Sequence, residues 1–248
     1  MAKHRIIAPV ADLLDQPNGK RERQLLFGEA FKVDTTLDGY AIGKRISDGY
    51  AGAIKVSDLG NWADPSHRIR DLGAQVYDAP DIKGSVKMHL PFQAEVTVIE
   101  ETGEFVEIAG GGFVHQMQLE PVAIVEPDFT RTAERYLGVP YLWGGNSQFG
   151  LDCSGLVSAA LRSAGISHPA DSGAQEKELG TPIDTDTPLK RGDLVFWKGH
   201  VGIMFNETLL LHANGHHMKC VFEPLSEATN RIAKQGGGSI TSYRRVSD

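Results

Sequence analysis

Short stretches of alternating apolar and polar residues dominate the first half of the chain. The segment EAFKVDTTLDGYAIGKRISDGYAGAIKVSDL, which begins at Glu29, alternates in this way and contains Asp-Gly pairs at Asp38 and Asp48. Alternation is typical of half-buried strands, and Asp-Gly pairs are strong signals of tight turns. The pattern therefore predicts short antiparallel strands joined by turns.

A second segment, which begins at Gln75, repeats this pattern as QVYDAPDIKGSVKMHLPFQAEVTVIEETGEFVEIAGGGFVHQMQLEP. Each segment closes with a glycine-led apolar strand followed by a short SDL or MQL stop. Two small β-barrels in tandem, each of about 60 residues, fit this repetition better than one sandwich. We place them at residues 1–62 and 63–122.

The pattern changes near Pro127, after a linker at about residues 122–127. DFTRTAERYLG predicts an amphipathic helix that ends at Gly138, and a second helix begins after Asp152, which is a good N-cap. Four or five strand-like runs follow, including GDLVFWKG, HVGIMF and TLLLHANG. Helices followed by an antiparallel sheet indicate an α+β domain, which we place at residues 128–248.

Composition narrows the possible partners. The chain has 248 residues and a formal net charge of −7, which argues against nucleic acid or an anionic membrane as the main partner. The first residues lack the continuous apolar region of a signal peptide, and no stretch approaches the roughly 18 apolar residues of a membrane span. We therefore expect a soluble, cytoplasmic protein. Neither its oligomeric state nor its organism can be read from the sequence.

The chain contains two cysteines, which sit in different surroundings. Cys220 lies in the apolar run HMKCVFEPL, so we expect it to serve core packing. Cys153 comes directly after the helix N-cap, within GLDCSGLVSAAL. A small apolar residue would suit packing there too, but a helix N-terminus stabilises a thiolate and would make this sulfur a nucleophile.

Two histidines supply the groups that a thiol nucleophile needs. His200 opens one strand and His212 ends the next, so an antiparallel hairpin can bring them side by side as a base and the group that orients it. Cys153 and these histidines could also bind zinc, but no close-spaced ligand pair is built from the three. His216 and His217 lie in a turn next to glycine and are expected to be solvated. We therefore favour nucleophilic catalysis without a metal or cofactor.

Three blocks of sequence resemble the signatures of NlpC/P60 cysteine peptidases: PYLWGGNSQFGLDCSGLVSAAL, RGDLVFWKGHVGIMF and LLLHANG. The resemblance covers residues 128–248, about half of the chain. It implies a papain-like fold, with Cys153 as the nucleophile, His200 as the base and His212 as the orienting residue. It also places Tyr141 where a hydroxyl group helps to hold the oxyanion region.

The two N-terminal segments resemble bacterial SH3 (SH3b) modules. That arrangement is similar to γ-D-glutamyl-L-diamino acid endopeptidases, which process cell-wall peptides. The resemblance implies that Asp152 and Ser154 bind the free amino terminus of the peptide. Asp171 and Ser172 match a segment that lines the substrate cleft, but Ala170 stands where the family often has arginine, which puts a guanidinium clamp in doubt.

The same resemblance gives the first SH3b module a part in substrate binding. Tyr50 and Glu29 are the candidates, because a hydroxyl and a carboxylate could contact the substrate and its ammonium group. The expected substrate is a small murein peptide with an N-terminal L-Ala, cleaved during peptidoglycan recycling. Whether its third residue is diaminopimelate or lysine stays open. A hydrolase of intact peptidoglycan, a non-enzymatic wall-peptide binding module, and acyl transfer or deamidation by the same catalytic core are the alternatives.

Overall fold

The computed structural model describes residues 3–246, which fall into two compact units that meet in sequence between Ile124 and Val125. Unit 1 holds only strands and short 3₁₀ helices, and unit 2 combines four helices with a sheet. Within the described residues no helix is both long and apolar enough to cross a membrane. The three domain ranges set out above stay a prediction.

The first half of unit 1 is one antiparallel sheet of seven strands in the order β3-β2-β6-β5-β4-β1-β7. The strands are β1 (Lys3–Ile6), β2 (Val10–Leu14), β3 (Arg21–Leu26), β4 (Ala30–Leu37), β5 (Tyr40–Arg45), β6 (Ala51–Lys55) and β7 (Leu59–Asn61). Asp38 and Gly39, both with positive φ, form the two-residue turn between β4 and β5, as the Asp-Gly signal predicted.

The second half of unit 1 forms two sheets, in the orders β10-β9-β14-β13-β12 and β11-β8-β15. Its strands are β8 (His67–Ile69), β9 (Gly73–Tyr77), β10 (Val86–Pro91), β11 (Glu95–Val96), β12 (Val98–Thr102), β13 (Phe105–Ile108), β14 (Phe113–His115) and β15 (Leu119–Pro121). The repeated SDL and MQL stops correspond to 3₁₀ helices, Val56–Asp58 and Gln116–Gln118. No closed barrel is found in either half among residues 3–246, so the SH3-like assignment stays a prediction.

The two halves of unit 1 are joined by main-chain contacts and a shared core. The Glu95 amide donates to the Phe27 carbonyl at 2.9 Å, and the Phe27 ring packs into the core of the second half. Gly28 makes this approach possible, because a Cβ there would lie 2.1 Å from the Glu95 carbonyl oxygen. The two halves therefore form one compact unit rather than two independent domains.

Unit 2 is built on a six-stranded antiparallel sheet in the order β18-β23-β19-β20-β21-β22. Its strands are β16 (Asn146–Ser147) and β17 (Gly150–Leu151), which pair with each other, then β18 (Thr181–Pro182), β19 (Leu194–Trp197), β20 (His200–Met204), β21 (Leu209–Asn214), β22 (Lys219–Pro224) and β23 (Ser242–Arg245). Its helices are α1 (Phe129–Glu134), α2 (Cys153–Ser163), α3 (Ser172–Glu178) and α4 (Leu225–Lys234). The α+β class predicted from the sequence is confirmed.

Helix α1 is shorter than predicted. It ends at Glu134 rather than at Gly138, and the chain continues in i→i+3 turns that bring the Gly138 amide to the Cys220 carbonyl at 2.9 Å. The strand β22 therefore takes the hydrogen bond that a longer helix would have used. The predicted helix is too long because the apolar periodicity continues past Glu134 to Tyr136, which is fully buried in the turn rather than in the helix.

Helix α2 lies inside unit 2 and packs against α1, β20 and β21. Every residue from Cys153 to Leu161 is buried, not only the apolar face predicted from the sequence. The small residues of CSGLVSAAL allow this close packing on several sides. The helix that carries Cys153 is therefore held rigidly against the strands that carry the histidines.

Candidate active site

Cys153 occupies the first turn of α2, and Asp152 caps that turn. One carboxylate oxygen of Asp152, Oδ1, accepts a hydrogen bond from the Gly155 amide at 2.7 Å. The N-terminus of a helix carries a partial positive charge, which favours a negative charge on a group in its first turn. The position therefore suits a cysteine that reacts as a thiolate.

The carboxylate of Asp152 also fixes the loop ahead of the helix. Its Oδ2 accepts from the Gly144 amide at 2.9 Å, and its Oδ1 accepts from the Ser154 hydroxyl at 3.0 Å. Both side chains are buried. The capping function of Asp152 is thus visible in the geometry, while the ammonium-binding role of Asp152 and Ser154 stays a prediction.

Glycines let this loop approach the helix closely. A Cβ on Gly155 would lie 2.3 Å from the Gly145 carbonyl oxygen, and one on Gly145 would lie 2.4 Å from the Gly150 carbonyl oxygen. Neither backbone oxygen can move without shifting the start of α2. The glycines of GGNSQFGLDCSG are therefore required to place Cys153.

The two predicted histidines lie on adjacent strands and contact each other. A two-residue turn joins β19 to β20 with Trp197 opposite His200, and the rings of this pair are 5.6 Å apart. His200 Nε2 lies 2.9 Å from His212 Nδ1. Gly202 leaves room for the side chains of β21, because a Cβ there would lie 2.8 Å from Leu210 Cδ1 and 3.1 Å from His212 Cβ.

Two residues that the sequence analysis missed extend this pair. Glu223 Oε2 lies 2.9 Å from His212 Nε2. Arg231 donates to the same carboxylate through Nη2 at 2.6 Å and through Nε at 3.0 Å. The sequence offers one signal for Glu223, because it is a carboxylate inside the apolar run HMKCVFEPL. Interpreting this run as a packing strand gives the carboxylate no function.

Burial decides the charge of both histidines. It lowers the pKa of His200 below its ordinary value, with the charges of His212 and Arg231 acting in the same direction and Glu223 opposing. Burial also lowers the pKa of His212, against the hydrogen bond and charge of Glu223. The unfolded chain therefore takes up protons first as the pH falls below about 6.5, and acid destabilises the fold through these groups.

Glu223 stays ionised despite its burial. Burial raises the pKa of this carboxyl group, but the hydrogen bonds from His212 and Arg231, and their charges, lower it well below its ordinary value. The buried His212 thus lies between a second imidazole and a carboxylate. His212 contacts His200 through the Nε2 atom of His200, so Nδ1 is the ring nitrogen of His200 that His212 does not contact.

Tyr141 lies near the turn between β21 and β22. Its amide donates to the Met218 carbonyl at 3.0 Å, and its ring edge would lie 3.9 Å from a Cβ on Gly215. Its main chain also forms a bridge with Leu151, which precedes the α2 cap. The structure thus ties Tyr141 to the loop before Cys153 and to the β21–β22 turn, and its oxyanion role stays a prediction.

The segment before α3 is fixed by one buried glutamine. Gln175 Nε2 lies within 3.3 Å of acceptors that include the carbonyl oxygens of Ser154 and Ala170. Ala170 is itself buried, Asp171 is exposed and Ser172 begins α3. Gln175 therefore holds this segment against the first turn of α2, and substrate binding by Asp171 and Ser172 stays a prediction.

Glu29 and Tyr50 lie in unit 1. Glu29 Oε2 accepts from the Leu26 amide at 3.0 Å, which closes the turn before β4. The Tyr50 amide donates to Asp48 at 3.1 Å, and its ring packs on the core of the first sheet. Both residues have structural contacts within their own unit, and their part in substrate binding stays a prediction.

The second cysteine and the neighbouring pair His216 and His217 lie in the surroundings predicted for them. Cys220 is buried in β22, where burial raises the pKa of its thiol to about 12. His216 and His217 are exposed in the turn after β21. Across residues 3–246, no group of three or more His, Cys, Asp or Glu side chains is arranged to hold a metal ion.

Cys153 at the N-terminus of α2, which packs against the adjacent strands that carry the hydrogen-bonded His200 and His212, suits the chemistry of a cysteine hydrolase. The NlpC/P60 family model matches residues 138–235. A γ-D-glutamyl-L-lysine dipeptidyl-peptidase from Bacillus subtilis (strain 168) is 30% identical over 220 residues, which span 77% of this chain and 72% of that protein. The chain belongs to the NlpC/P60 family and is a cysteine peptidase.

Two further relatives extend the likeness over nearly the whole chain. Dipeptidyl-peptidase 6 from Lysinibacillus sphaericus is 28% identical over 238 residues, which span 84% of this chain and 86% of that protein. The crystal structure of an NlpC/P60 family protein from Bacillus cereus ATCC 10987 matches with a TM-score of 0.80, at 19% identity, over 98% of this chain and 99% of that one. At that identity the structural likeness shows the fold alone.

Replacing Cys153 by alanine should abolish peptide hydrolysis and leave the fold intact, because the predicted nucleophile is lost while its small volume is nearly kept. Cys220→Ala is the matched control, since that thiol is buried in β22 and is not ionised near neutral pH. We expect Cys220→Ala to retain activity within about threefold of wild type. Hydrolysis by the Cys153→Ala variant, measured by mass spectrometry of the products, would contradict the assignment.

Replacing Gly155 by alanine should displace the first turn of α2. The new Cβ meets the Gly145 carbonyl oxygen, so we expect a loss of about 1–3 kcal/mol in the free energy of unfolding and at least a tenfold fall in activity. Gly173→Ala in α3 is the control, because a Cβ there meets no atom within 4 Å. That variant should gain up to about 1 kcal/mol from helix propensity. Equal free energies of unfolding in urea for Gly155→Ala and the wild type would show that the close approach of Gly155 to the Gly145 carbonyl is unimportant.

Proposed function

We propose that the protein hydrolyses the γ-D-glutamyl–diamino acid bond of free cell-wall peptides that begin with L-Ala. The observation that carries this proposal is the similarity of most of the chain, unit 1 included, to a protein named γ-D-glutamyl-L-lysine dipeptidyl-peptidase. A dipeptidyl-peptidase releases two residues from a free amino end. A likeness that extends beyond the catalytic unit therefore supports the proposed substrate class.

The geometry of unit 2 supports the chemistry of such a cleavage. The Cys153 thiol gives its proton to His200 Nδ1, and the thiolate attacks the γ-carbonyl carbon of D-glutamate. The imidazolium returns the proton to the leaving amine as the amide C–N bond breaks, which leaves a thioester on Cys153. A water molecule, deprotonated by His200, then hydrolyses the thioester and frees the thiol.

Recognition of the peptide's amino terminus is part of the proposal. Asp152, Ser154 and, from unit 1, Glu29 and Tyr50 are the proposed contacts, and Asp171 and Ser172 are proposed to line the cleft. A buried ammonium group gains charge-assisted hydrogen bonds of about 1.5–3 kcal/mol each. We also propose that the halves of unit 1 are SH3-like modules and that the protein acts in the cytoplasm on released peptides.

Acetylation of the substrate tests this proposal. L-Ala-γ-D-Glu-meso-diaminopimelate and its L-lysine counterpart should be cut at the γ-glutamyl bond, whichever of the two is preferred. The N-acetyl form of each, and stem peptides still attached to glycan, should be cleaved at least about a hundredfold more slowly, a loss of roughly 2.7 kcal/mol. The measurement is kcat/KM by mass-resolved product analysis.

Equal kcat/KM for free and acetylated peptides would contradict recognition of a free amino end and favour a hydrolase of intact peptidoglycan.

The Glu29→Gln variant tests the proposed role of Glu29 in unit 1 separately from the proposed role of Asp152. The amide keeps an acceptor for the Leu26 N–H and removes the charge. We expect this variant to reduce the ratio of kcat/KM for the free peptide to kcat/KM for the acetylated peptide.

A further inference from the structure

A continuous line of side chains runs behind the base of the active site. His200 on β20 contacts His212 on β21 at 2.9 Å, His212 contacts Glu223 on β22 at 2.9 Å, and Arg231 on α4 holds Glu223 by two hydrogen bonds. His212 is fully buried and Glu223 nearly so. Three adjacent strands and a helix therefore each supply one member of this line.

The charge of Glu223 fixes the proton on the far side of His212. Arg231 presents Nε and Nη2 to the two oxygens of the carboxylate, the bidentate arrangement that stabilises its ionised form. An ionised carboxylate can only accept hydrogen bonds. The proton in the 2.9 Å contact between Glu223 Oε2 and His212 Nε2 must therefore be carried by Nε2.

Asn214 is the other group that contacts this nitrogen, with Nδ2 3.1 Å from His212 Nε2. Its Oδ1 accepts from the His217 amide at 2.8 Å, which keeps the amide nitrogen facing His212. The carboxylate of Glu223 is nearer and charged, and hydrogen bonds to ionised acceptors are about twice as strong as neutral ones. Nε2 therefore donates to Glu223, and Asn214 does not reverse the tautomer.

The remaining protons follow from this one. A neutral His212 protonated at Nε2 has a lone pair at Nδ1, which must accept from His200 Nε2–H across the 2.9 Å contact. A neutral His200 protonated at Nε2 then has its lone pair at Nδ1. We infer that Glu223, held by Arg231, is a positioning residue that fixes both imidazole tautomers so that His200 Nδ1 is free to take the Cys153 proton.

The same line of side chains also holds His200 in place during the reaction. When the thiol proton reaches His200 Nδ1, the imidazolium keeps its Nε2–H on His212, and no proton needs to pass beyond His200. Glu223 favours the positive charge on His200, whereas burial, His212 and Arg231 oppose it. Among the charged groups near the pair, His217 also opposes protonation of His212. The inference rests on the proposed roles of Cys153 and His200.

Exchanging the carboxylate for an amide tests this inference. In Glu223→Gln the NH₂ group can donate to His212 Nε2, which would place protons on Nδ1 of both histidines and block the base. In serine proteases the comparable exchange lowers kcat about 10⁴-fold. We expect Glu223→Gln to lower kcat at least about a hundredfold with KM within about threefold, and Glu223→Asp to restore part of the loss.

Alkylation of Cys153 by iodoacetamide gives a readout that needs no substrate. The rate, mapped to Cys153 by mass spectrometry, should fall at least about tenfold at pH 7 in Glu223→Gln. Its pH midpoint should rise toward the ordinary thiol value of about 8.5, because the thiolate loses its imidazolium partner. A role confined to stability would lower the free energy of unfolding and leave this pH profile where it is.

Asp193→Asn is the matched control. Asp193 is a buried carboxylate in the same unit, and it accepts hydrogen bonds from Arg245 Nε at 2.8 Å and Nη2 at 2.7 Å, the same fork that Arg231 offers Glu223. Its side-chain hydrogen bonds go to Arg245 and to the Lys190 amide rather than to a histidine. We expect Asp193→Asn to lose stability and keep the wild-type alkylation profile.

The double variant Glu223→Leu, Arg231→Met covers the case in which the single variant does not fold, because it leaves no unpaired charge in the core. Asn214 Nδ2 then remains as the polar group facing His212 Nε2 and donates to it, which reverses the tautomer, so alkylation should slow in the same way. A wild-type pH profile in either variant, or an equal shift in Asp193→Asn, would overturn the inference. Slowed alkylation in a protein that cleaves none of the murein peptides would instead uphold the inference and reject the proposed substrate.

Discussion

The burial of one imidazole, His212, is the constraint on which the catalytic unit depends. A fully buried ring with two polar nitrogens is costly unless both are hydrogen-bonded. Here one nitrogen faces His200 and the other faces Glu223. Because His212 pairs across the sheet with Val221, Glu223 lies two residues along β22 on the same face, which brings its carboxylate within reach. The pairing register of β21 and β22 therefore creates the contact between His212 and Glu223.

Close backbone packing supplies the other half of the site. Gly155 sits against the Gly145 carbonyl, and Asp152 ties the Gly144 amide to the first turn of α2. These contacts place the sulfur, while the sheet places the base, and α2 packs directly on β20 and β21. The predicted nucleophile and the predicted base thus come from a helix and a sheet that pack directly on each other.

The features that could be predicted from the sequence are local or periodic. The Asp152 cap, the Asp38-Gly39 turn and the adjacency of His200 and His212 follow from residue type and spacing, and the structure has each of them. The line behind His212 could not be found this way. Glu223 stands in an apolar strand, and its link to Arg231 depends on how α4 returns over the sheet, which no local spacing encodes.

Other errors have the same origin. The length of α1 was overestimated because the apolar periodicity continues into a turn whose last amide, that of Gly138, pairs with β22. The nearly complete burial of α2 exceeds its apolar face because its serine, glycine and alanine residues let neighbouring elements approach from several sides. In both cases tertiary contacts override the local pattern.

The tautomers of the two histidines test the central claim most directly. Long-range ¹H–¹⁵N correlation spectra of Cys153→Ala protein labelled in histidine, recorded near pH 7, distinguish a protonated ring nitrogen from an unprotonated one. Removing the thiol keeps the pair neutral. We predict protonated Nε2 and unprotonated Nδ1 for both His200 and His212. A proton on Nδ1 of either ring would contradict the account, because His200 would then have no free nitrogen to receive a proton from the nucleophile.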